Sequence, residues 1–268
     1  MKTVFITGAS SGIGRESAKL FQQRGWNVLA TMRNPMVEQE LTKLKNVKVL
    51  PCDVTDQDSI YHAVQEGIHS FGKIDVLINN AGYYTVGPLE GADFQQVRGQ
   101  LDTNLLGLIA VTKAMLPHFR KNRSGVIINL SSIAGCVSIP LQSLYHATKF
   151  GVEGFSESLQ YELEAFNIKV KLIEPGTIKT NFYGRSMTVV DYDDLPEYME
   201  YSDKVLSNLI NNGNIGSAPE EVAHVIYRAA TDNRKKMRYP VGKMKEMIML
   251  HKILPLSLYQ KVVATVLG

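Results

Sequence analysis

Short apolar runs alternate with longer stretches of helical periodicity along this chain. The apolar runs are nearly continuous in Val, Ile and Leu, which is typical of strands covered on both faces. They are Lys2–Thr7, Trp26–Thr31, Val47–Cys52, Ile74–Asn79, Gly125–Leu130 and Ile168–Ile173. The helical stretches are Ile13–Arg24, Pro35–Lys45, Asp56–Phe71, Phe94–Lys121 and Leu144–Phe166. This alternation predicts an α/β protein with a Rossmann fold, in which helices flank a doubly wound parallel β-sheet.

No repeat, low-complexity tract or linker interrupts the pattern, so we expect a single domain over residues 1–268. Two parts of the C-terminal third differ from the rest. Residues 182–215, approximately, form a long irregular segment rich in apolar and tyrosyl side chains, and residues 243–268 form an apolar tail interrupted by lysines. Because the carboxyl ends of parallel strands meet at one edge of the sheet, we expect the ligand site at that edge.

Composition excludes several classes of function. The 29 basic and 26 acidic residues give a net charge of +3, which argues against nucleic-acid binding. Cys52 and Cys136 are far apart, and the histidines are scattered, so no metal site is expected. The apolar start of the chain is too short for a secretory signal or a membrane span, and we expect a cytoplasmic protein.

A glycine-rich turn joins the first predicted strand to the first predicted helix. Its glycines have the spacing Gly-x-x-x-Gly-x-Gly. Glycines let the backbone turn sharply and approach a pyrophosphate closely, while the helix N-terminus offers free N–H groups to the anion. The turn therefore predicts dinucleotide binding. The candidate contacts in the turn are Gly8, Ser10, Ser11, Gly12, Ile13 and Gly14.

The end of the second predicted strand distinguishes the two nicotinamide cofactors. An acidic residue there would bond a ribose 2′-hydroxyl, whereas an arginine would pair with a 2′-phosphate. The strand ends in Met32-Arg33-Asn34 and carries no carboxylate. The guanidinium of Arg33 offers a fork of donors to a phosphate, and Ser10 and Ser11 can add hydroxyl donors. We therefore expect the cofactor to be NADP(H).

Tyr145 and Lys149 occupy positions i and i+4 of a predicted helix. Side chains at this spacing share a helix face, with Cβ atoms about 5–6 Å apart. An ammonium so close to a phenol favours the phenolate and lowers a tyrosine pKa whose ordinary value is about 10. Such a tyrosine is suited to proton transfer at a carbonyl or a carbinol. Taken alone, the pair is better explained as an exposed lysine beside an amphipathic tyrosine.

Other predicted strands also end in residues that suit a cofactor site. Ser132 lies just after one strand, where its hydroxyl would reach the ligand edge, and Asn79–Gly82 ends another strand with amides and small residues. The segment Pro175–Thr180 follows the sixth strand. Its Pro-Gly pair ends that strand, and the loop, with Ile178 and Thr180, is placed to hydrogen-bond the nicotinamide amide.

Together these motifs resemble those of the short-chain dehydrogenase/reductase family over about residues 2–240. The glycine-rich turn, Asn-Asn-Ala-Gly, Ser…Tyr-x-x-x-Lys and Pro-Gly occur in the order and spacing of that family. The resemblance implies a nicotinamide cofactor, hydride transfer between a carbonyl and an alcohol, and no metal.

The resemblance also implies roles for individual residues. Ser132, Tyr145 and Lys149 match the catalytic serine, tyrosine and lysine, and Asn104 matches the helix asparagine that anchors a water in the proton relay. Tyr145 would be the general acid, Ser132 would stabilise the developing alkoxide, and Lys149 would also hold the nicotinamide ribose. The residues that we expect to contact the cofactor outside the turn are Arg33, Asp53, Val54, Asn80, Ala81, Gly82, Tyr145, Lys149, Pro175, Gly176, Ile178 and Thr180.

Three local features are similar to the estradiol 17β- and retinol-dehydrogenase-like branch of the family. They are Ala30–Arg33, Leu101–Asn104 and Arg238–Gly242. This likeness, together with the apolar and tyrosyl content of residues 182–215, predicts a lipophilic, steroid- or retinoid-like substrate. A carbonyl or 3-oxoacyl-thioester reductase of the same family is the enzymatic alternative. A non-catalytic NADPH-binding regulator on the same scaffold is the alternative from another class.

Family members commonly associate through their two long helices, here Phe94–Lys121 and Leu144–Phe166, so the resemblance implies a homodimer or homotetramer. The apolar tail at residues 243–268 has three possible roles. It covers the substrate mouth, packs on another subunit, or makes a peripheral contact with a membrane surface. The sequence leaves these three open.

Overall fold

The computed structural model describes residues 1–179 and 186–267. Its strands are β1 (Thr3–Ile6), β2 (Asn27–Met32), β3 (Val47–Pro51), β4 (Val76–Asn79), β5 (Tyr84–Val86), β6 (Gly125–Leu130), β7 (Ile168–Pro175), β8 (Met187–Val189) and β9 (Arg238–Val241). Within the described ranges, the central sheet has the order β3-β2-β1-β4-β6-β7-β9, and β5 pairs with β8. Every neighbouring pair in the central sheet is parallel.

The helices cover both faces of this sheet. They are α1 (Gly12–Gln23), α2 (Gln57–Phe71), α3 (Phe94–Leu101), α4 (Gly107–Asn122), α5 (Ser143–Leu163), α6 (Pro196–Asn214), α7 (Pro219–Thr231), α8 (Glu246–Ile253) and α9 (Leu256–Leu267). The strand order reverses between β1 and β4, which is the switch point where open α/β sheets bind their ligands. The predicted doubly wound α/β fold is thus confirmed.

Alternation along the strands divides the core into two layers. In β1, Val4 and Ile6 pack on the face that is covered by α1 and α7, whereas Phe5 packs on the face covered by α2 and α4. Every residue of β1, β2 and β4 is buried. Burial on both faces explains why these strands are continuous apolar runs in the sequence.

The stretch Pro35–Lys45 is not the α-helix that its periodicity predicts. It forms two 3₁₀ turns, Pro35–Val37 and Leu41–Lys43. The buried carboxylate of Glu38 lies between them and accepts hydrogen bonds from the backbone N–H groups of Glu40 and Leu41, both at 2.9 Å. This side chain takes backbone donors that a continuing helix would need, so the chain forms turns instead.

The expectation of irregular structure up to residue 215 is also wrong for most of its length. The strand β8 and the long helix α6 occupy Met187–Val189 and Pro196–Asn214. Pro196 stands in the first turn of α6, where its missing N–H costs nothing. The predicted helix Phe94–Lys121 is helical, but a π-helical turn at Asp102–Leu106 separates α3 from α4.

Candidate active site

A cavity of about 740 Å³ lies at the carboxyl ends of the strands on either side of the switch point. It extends from the glycine-rich turn after β1 to the start of α5. Most of the residues singled out in the sequence line it. They are Gly8, Ser10, Ser11, Gly12, Ile13, Arg33, Asp53, Val54, Asn80, Ala81, Gly82, Asn104, Ser132, Tyr145, Lys149, Pro175, Gly176 and Ile178.

The glycine-rich turn needs glycine for reasons of both conformation and space. Gly8 and Gly12 have φ angles of +65° and +53°, in the left-handed region. A Cβ on Gly8 would lie 2.8 Å from the Cα of Ala81. Gly14 does not line the cavity, but a Cβ there would lie 2.4 Å from the carbonyl oxygen of Gly8. The turn therefore forms a close-packed cradle at the N-terminus of α1, which suits a pyrophosphate.

Hydrogen bonds fix the end of β4 against this cradle. The amide Nδ2 of Asn80 donates to the carbonyl oxygens of Thr7 at 2.9 Å and of Gly8 at 3.0 Å. The hydroxyl of Thr7 accepts in return from the N–H groups of Asn80 at 2.9 Å and Ala81 at 3.0 Å. The Asn-Ala-Gly segment is thereby held alongside the turn, as a surface on which an extended cofactor can lie.

Arg33 lies at the far end of the cavity and its side chain is exposed. The nearby carboxylates of Glu38 and Glu40 pair instead with Arg15 and Lys19. Arg33 is therefore the basic group that the β2 end presents to the cavity. Its position fits the binding of a 2′-phosphate and offers no acceptor for a 2′-hydroxyl.

Ser132, Tyr145 and Lys149 come together at the other end of the cavity. Lys149 is buried, and its Nζ donates to the carbonyl oxygen of Leu130 at 2.7 Å. The same Nζ lies 5.6 Å from the centre of the Tyr145 ring. Burial lowers the pKa of Lys149 to about 8, and the charge of Glu153 opposes this shift. The Tyr145 ring also packs edge-on against Tyr84, with ring centres 5.1 Å apart.

The hydroxyl of Ser132 bridges two loops at the edge of the sheet. It donates to the carbonyl oxygen of Pro175 at 3.3 Å and accepts from the N–H of Ala134 at 3.1 Å. Ser132 thus stands between the β6 and β7 ends, as its place in the sequence predicts. The π-helical turn supplies Asn104, whose side chain bonds both the N–H of Tyr83 at 3.0 Å and its carbonyl oxygen at 2.8 Å.

His146 has a structural role that the sequence did not indicate. The ring is buried, and its Nε2 accepts from the N–H of Ile139 at 2.9 Å. Nδ1 lies 2.7 Å from the carbonyl oxygen of Ala134. Because Nε2 accepts a hydrogen bond, Nδ1 is the ring nitrogen that carries the proton and donates it to this oxygen. His146 therefore ties the loop between β6 and α5 to the helix that carries Tyr145.

The cavity is also lined by residues that the sequence did not single out. They are Ile133, Ala134, Ile139, Gln142, Ser186, Thr188, Leu209, Asn212 and Met244. Two tyrosines of the 182–215 segment do not line the cavity. On the surface, Tyr192 hydrogen-bonds Asp203 and Tyr198 hydrogen-bonds Glu90. Thr180, Phe182 and Tyr183 lie outside the described residues. For Thr188, Leu209 and Asn212, the register of β8 and α6 determines which side chains face the cavity, and the sequence did not reveal those two elements.

Comparison with known proteins identifies the family of this chain. The family model described as short chain dehydrogenase matches residues 2–188. The chain belongs to the short-chain dehydrogenase family. The oxidoreductase YusZ of Bacillus subtilis, itself uncharacterized, is 37% identical over 97% of this chain and 96% of its own length. The family predicted from the motifs is therefore confirmed. The prediction that the protein is an oxidoreductase is confirmed with it.

Two relatives within the family are named for lipid-like molecules. Retinol dehydrogenase 8 of Bos taurus is 33% identical over 88% of this chain and 80% of its own. A 3-ketodihydrosphingosine reductase of Bacteroides thetaiotaomicron is 44% identical over 67% of this chain and 65% of its own. The first of these supports the retinol-dehydrogenase-like branch.

Solved structures share the fold over nearly the whole chain. A short-chain dehydrogenase from Streptomyces avermitilis is 29% identical with a TM-score of 0.86, covering 98% of both chains. The structure of ElxO with NADP bound is 27% identical with a TM-score of 0.72, covering 90% of this chain and 96% of that one. Over the described residues of the present chain, none of the helices has the length and apolar character needed to span a bilayer.

Proposed function

We propose that this short-chain dehydrogenase is an NADP(H)-dependent oxidoreductase that interconverts a ketone or aldehyde with an alcohol. The observation that carries the proposal is the single cavity in which a pyrophosphate cradle, Arg33 and the Ser132–Tyr145–Lys149 group face the same space. Structural neighbours with NADP bound, such as ElxO, support the choice of cofactor. Bound NADPH supplies the hydride from its nicotinamide ring.

The cofactor would be held by residues from five strand ends and from helix α5. The turn Gly8–Gly14 takes the pyrophosphate, Arg33 with Ser10 and Ser11 takes the 2′-phosphate, and Asp53 and Val54 contact the adenine. The remaining contacts are Asn80, Ala81, Gly82, Tyr145, Lys149, Pro175, Gly176, Ile178 and, outside the described residues, Thr180.

Three side chains take part in the reaction at the substrate carbonyl. Tyr145 donates a proton to the substrate oxygen as the carbonyl carbon is reduced. The Ser132 hydroxyl turns from Pro175 toward the same oxygen and stabilises the negative charge that develops there. The ammonium of Lys149, close to the Tyr145 ring, favours loss of the phenolic proton. Asn104, which lines the same cavity, would anchor the water of the proton relay.

The substrate that fits best is lipophilic, with a few polar anchors. Ile133, Ala134, Ile139, Leu209 and Met244 give the substrate end an apolar wall, and Gln142 and Asn212 add amides. The names of retinol dehydrogenase 8 and 3-ketodihydrosphingosine reductase support a long apolar molecule. We expect a homodimer or homotetramer in solution, and the exposed Leu106, Phe150 and Tyr161 beside or on the long helices support it.

The test is the oxidation of NADPH and of NADH, followed by the loss of nicotinamide absorbance, with a panel of steroid, retinoid and long-chain carbonyl compounds. We expect turnover with NADPH. Arg33→Ala should raise the KM for NADPH far more than the KM for NADH, because only NADPH carries the 2′-phosphate. Lys45→Ala, which removes an exposed charge elsewhere on the surface, is the control. Cofactor binding without turnover of any carbonyl would indicate a non-catalytic regulator instead.

A further inference from the structure

A group of ionisable side chains lies next to the catalytic lysine but outside the cavity lining. Arg238, at the start of β9, contacts a carboxylate oxygen of Glu153 and lies 2.6 Å from Glu174 Oε1. The Sγ of Cys136 and the carboxylates of Glu153 and Glu174 lie within 4.8 Å of one another. We call these four residues the buried charge cluster. Glu157, on the surface of α5, pairs with the other nitrogen of Arg238 at 2.6 Å.

The cluster carries more negative than positive charge when its carboxyl groups are ionised. Glu153 is 5% exposed and Glu174 is 2% exposed, and one guanidinium serves both of them and Glu157. Buried carboxylates are costly to ionise unless they are compensated, so an excess of them beside an active site calls for an explanation. Lys149 provides one, because it is a buried cation whose hydrogen-bond partner, the Leu130 carbonyl, is neutral.

Glu153 is the member of the cluster that lies closest to Lys149 along the chain. The two residues are four positions apart on α5, so they share a face of the helix. A Cβ on Gly135 would lie 2.9 Å from both Glu153 Cγ and the Lys149 carbonyl oxygen, and 2.6 Å from Ser131 Oγ. The loop that carries Ser132 is therefore packed directly against the Lys149–Glu153 turn, with no space for a side chain between them.

Both groups have shifted pKa values, and Glu153 acts on that of Lys149. Burial raises the pKa of Glu153 to about 7, while Ser131 and Arg238 lower it and Glu174 raises it. Burial lowers the pKa of Lys149 to about 8, and Glu153 raises it. The groups that face Glu153 are Lys149 and Glu157 from α5, Cys136 from the preceding loop, Glu174 from β7 and Arg238 from β9.

We propose that Glu153 is a positioning residue of the active site, whose buried carboxylate, held by Arg238, is the counter-charge that keeps Lys149 cationic. The inference rests on the proposed function of that site. It also explains the Arg238–Gly242 segment, which the cofactor and substrate contacts leave without a role. Arg238 reaches across from β9 to hold a residue that is 85 positions earlier in the chain.

The sign of the expected effect follows from the charges. Glu153→Gln removes a negative charge from beside the Tyr145–Lys149 pair, which makes the first proton of that pair easier to lose. The reducing form of the enzyme needs that proton. The alkaline limb of the kcat/KM profile for carbonyl reduction should therefore move to lower pH in this variant, by about one pH unit or more.

The experiment measures kcat/KM for NADPH-dependent reduction across the pH range in the wild type, Glu153→Gln, Glu153→Asp and Glu157→Gln. Glu157→Gln is the matched control, because it removes a carboxylate from the same arginine and the same helix but at the solvent-screened surface. We expect its alkaline limb to stay in place. Glu153→Asp keeps the charge and should restore most of the wild-type profile.

An active, folded Glu153→Gln variant with an unchanged alkaline limb would overturn the proposal, even if its kcat or melting temperature is lower. A purely structural role predicts that result. If Glu153→Gln does not fold, Glu153→Met, another neutral side chain of similar length, should move the limb in the same direction, and no shift there contradicts the proposal equally. Absence of any reductase activity in the wild type would instead refute the proposed function.

Discussion

At the scale of single residues, the cofactor cradle depends on glycines, because a side chain at these positions would not fit. Gly8 combines a φ of +65° with a site where a Cβ would lie 2.8 Å from Ala81 Cα. Gly25 has a similar φ of +77° with open space around it. We therefore predict that Gly25→Ala costs about 1 kcal/mol of unfolding free energy, the cost of the left-handed backbone alone. Gly8→Ala should cost more and should also weaken NADPH binding.

Thermal denaturation and NADPH fluorescence titration check this pair. If Gly8→Ala is no less stable than Gly25→Ala and binds NADPH as the wild type does, the close packing of the turn against Ala81 is unimportant and the cradle is misassigned.

Single residues were also where the sequence was most informative about the site. Ser132, Tyr145 and Lys149 follow a recognisable spacing, and the structure brings all three to one cavity. By contrast, nothing in the sequence links Glu153 to Arg238, because their contact spans 85 positions and joins α5 to β9, which lies beside β7 in the sheet. Local spacing predicts partners on one helix, but it does not predict partners brought together by strand order.

At the scale of elements, His146 fastens α5 to the loop that follows β6. Burial lowers the pKa of its ring below the ordinary value, because a charged imidazolium is poorly solvated there. The unfolded state then binds a proton more readily than the folded state as the pH falls below about 6.5. The stability that His146 contributes should be complete above that pH and should decline below it.

We predict that His146→Asn, which keeps a donor for the Ala134 carbonyl but does not titrate, reduces this acid sensitivity. The difference in unfolding free energy between pH 8 and pH 5 should shrink by about 1 kcal/mol relative to the wild type. Chemical denaturation at the two pH values measures it, with the exposed His69→Asn as the control. An equal acid sensitivity in His146→Asn and the wild type would contradict the assignment.

Strands were predicted well where burial made their apolar pattern continuous. Elements were predicted poorly where side-chain hydrogen bonds or polar side chains changed the local structure or its pattern. The six predicted strands of the sheet are all present, and all except the edge strand β3 are almost entirely buried. Pro35–Lys45 has helical periodicity, yet the Glu38 carboxylate takes its backbone donors and produces turns. The helix α6 was missed because its polar residues obscure the pattern.

At the scale of the whole molecule, the strand order explains why distant motifs act together. Parallel pairing from β3 to β9 brings every strand end to one edge, so the turn after β1, Arg33 after β2 and Ser132 after β6 face one cavity. Alternation of strands and helices predicted this edge correctly. The helices α8 and α9, which pack on Ile133 and Val137 beside the cavity, were predicted only as an apolar tail. Their packing depends on this surface around Ile133 and Val137, which no local pattern in the sequence of the tail describes.

The most direct measurement compares wild type and Tyr145→Phe for both NADPH binding and carbonyl reduction. Phenylalanine keeps the ring that packs against Tyr84 and removes only the hydroxyl. If Tyr145 is the proton donor, kcat should fall by about 10²–10⁴-fold while the Kd for NADPH stays within about twofold of the wild type. A kcat close to that of the wild type in Tyr145→Phe would contradict the account.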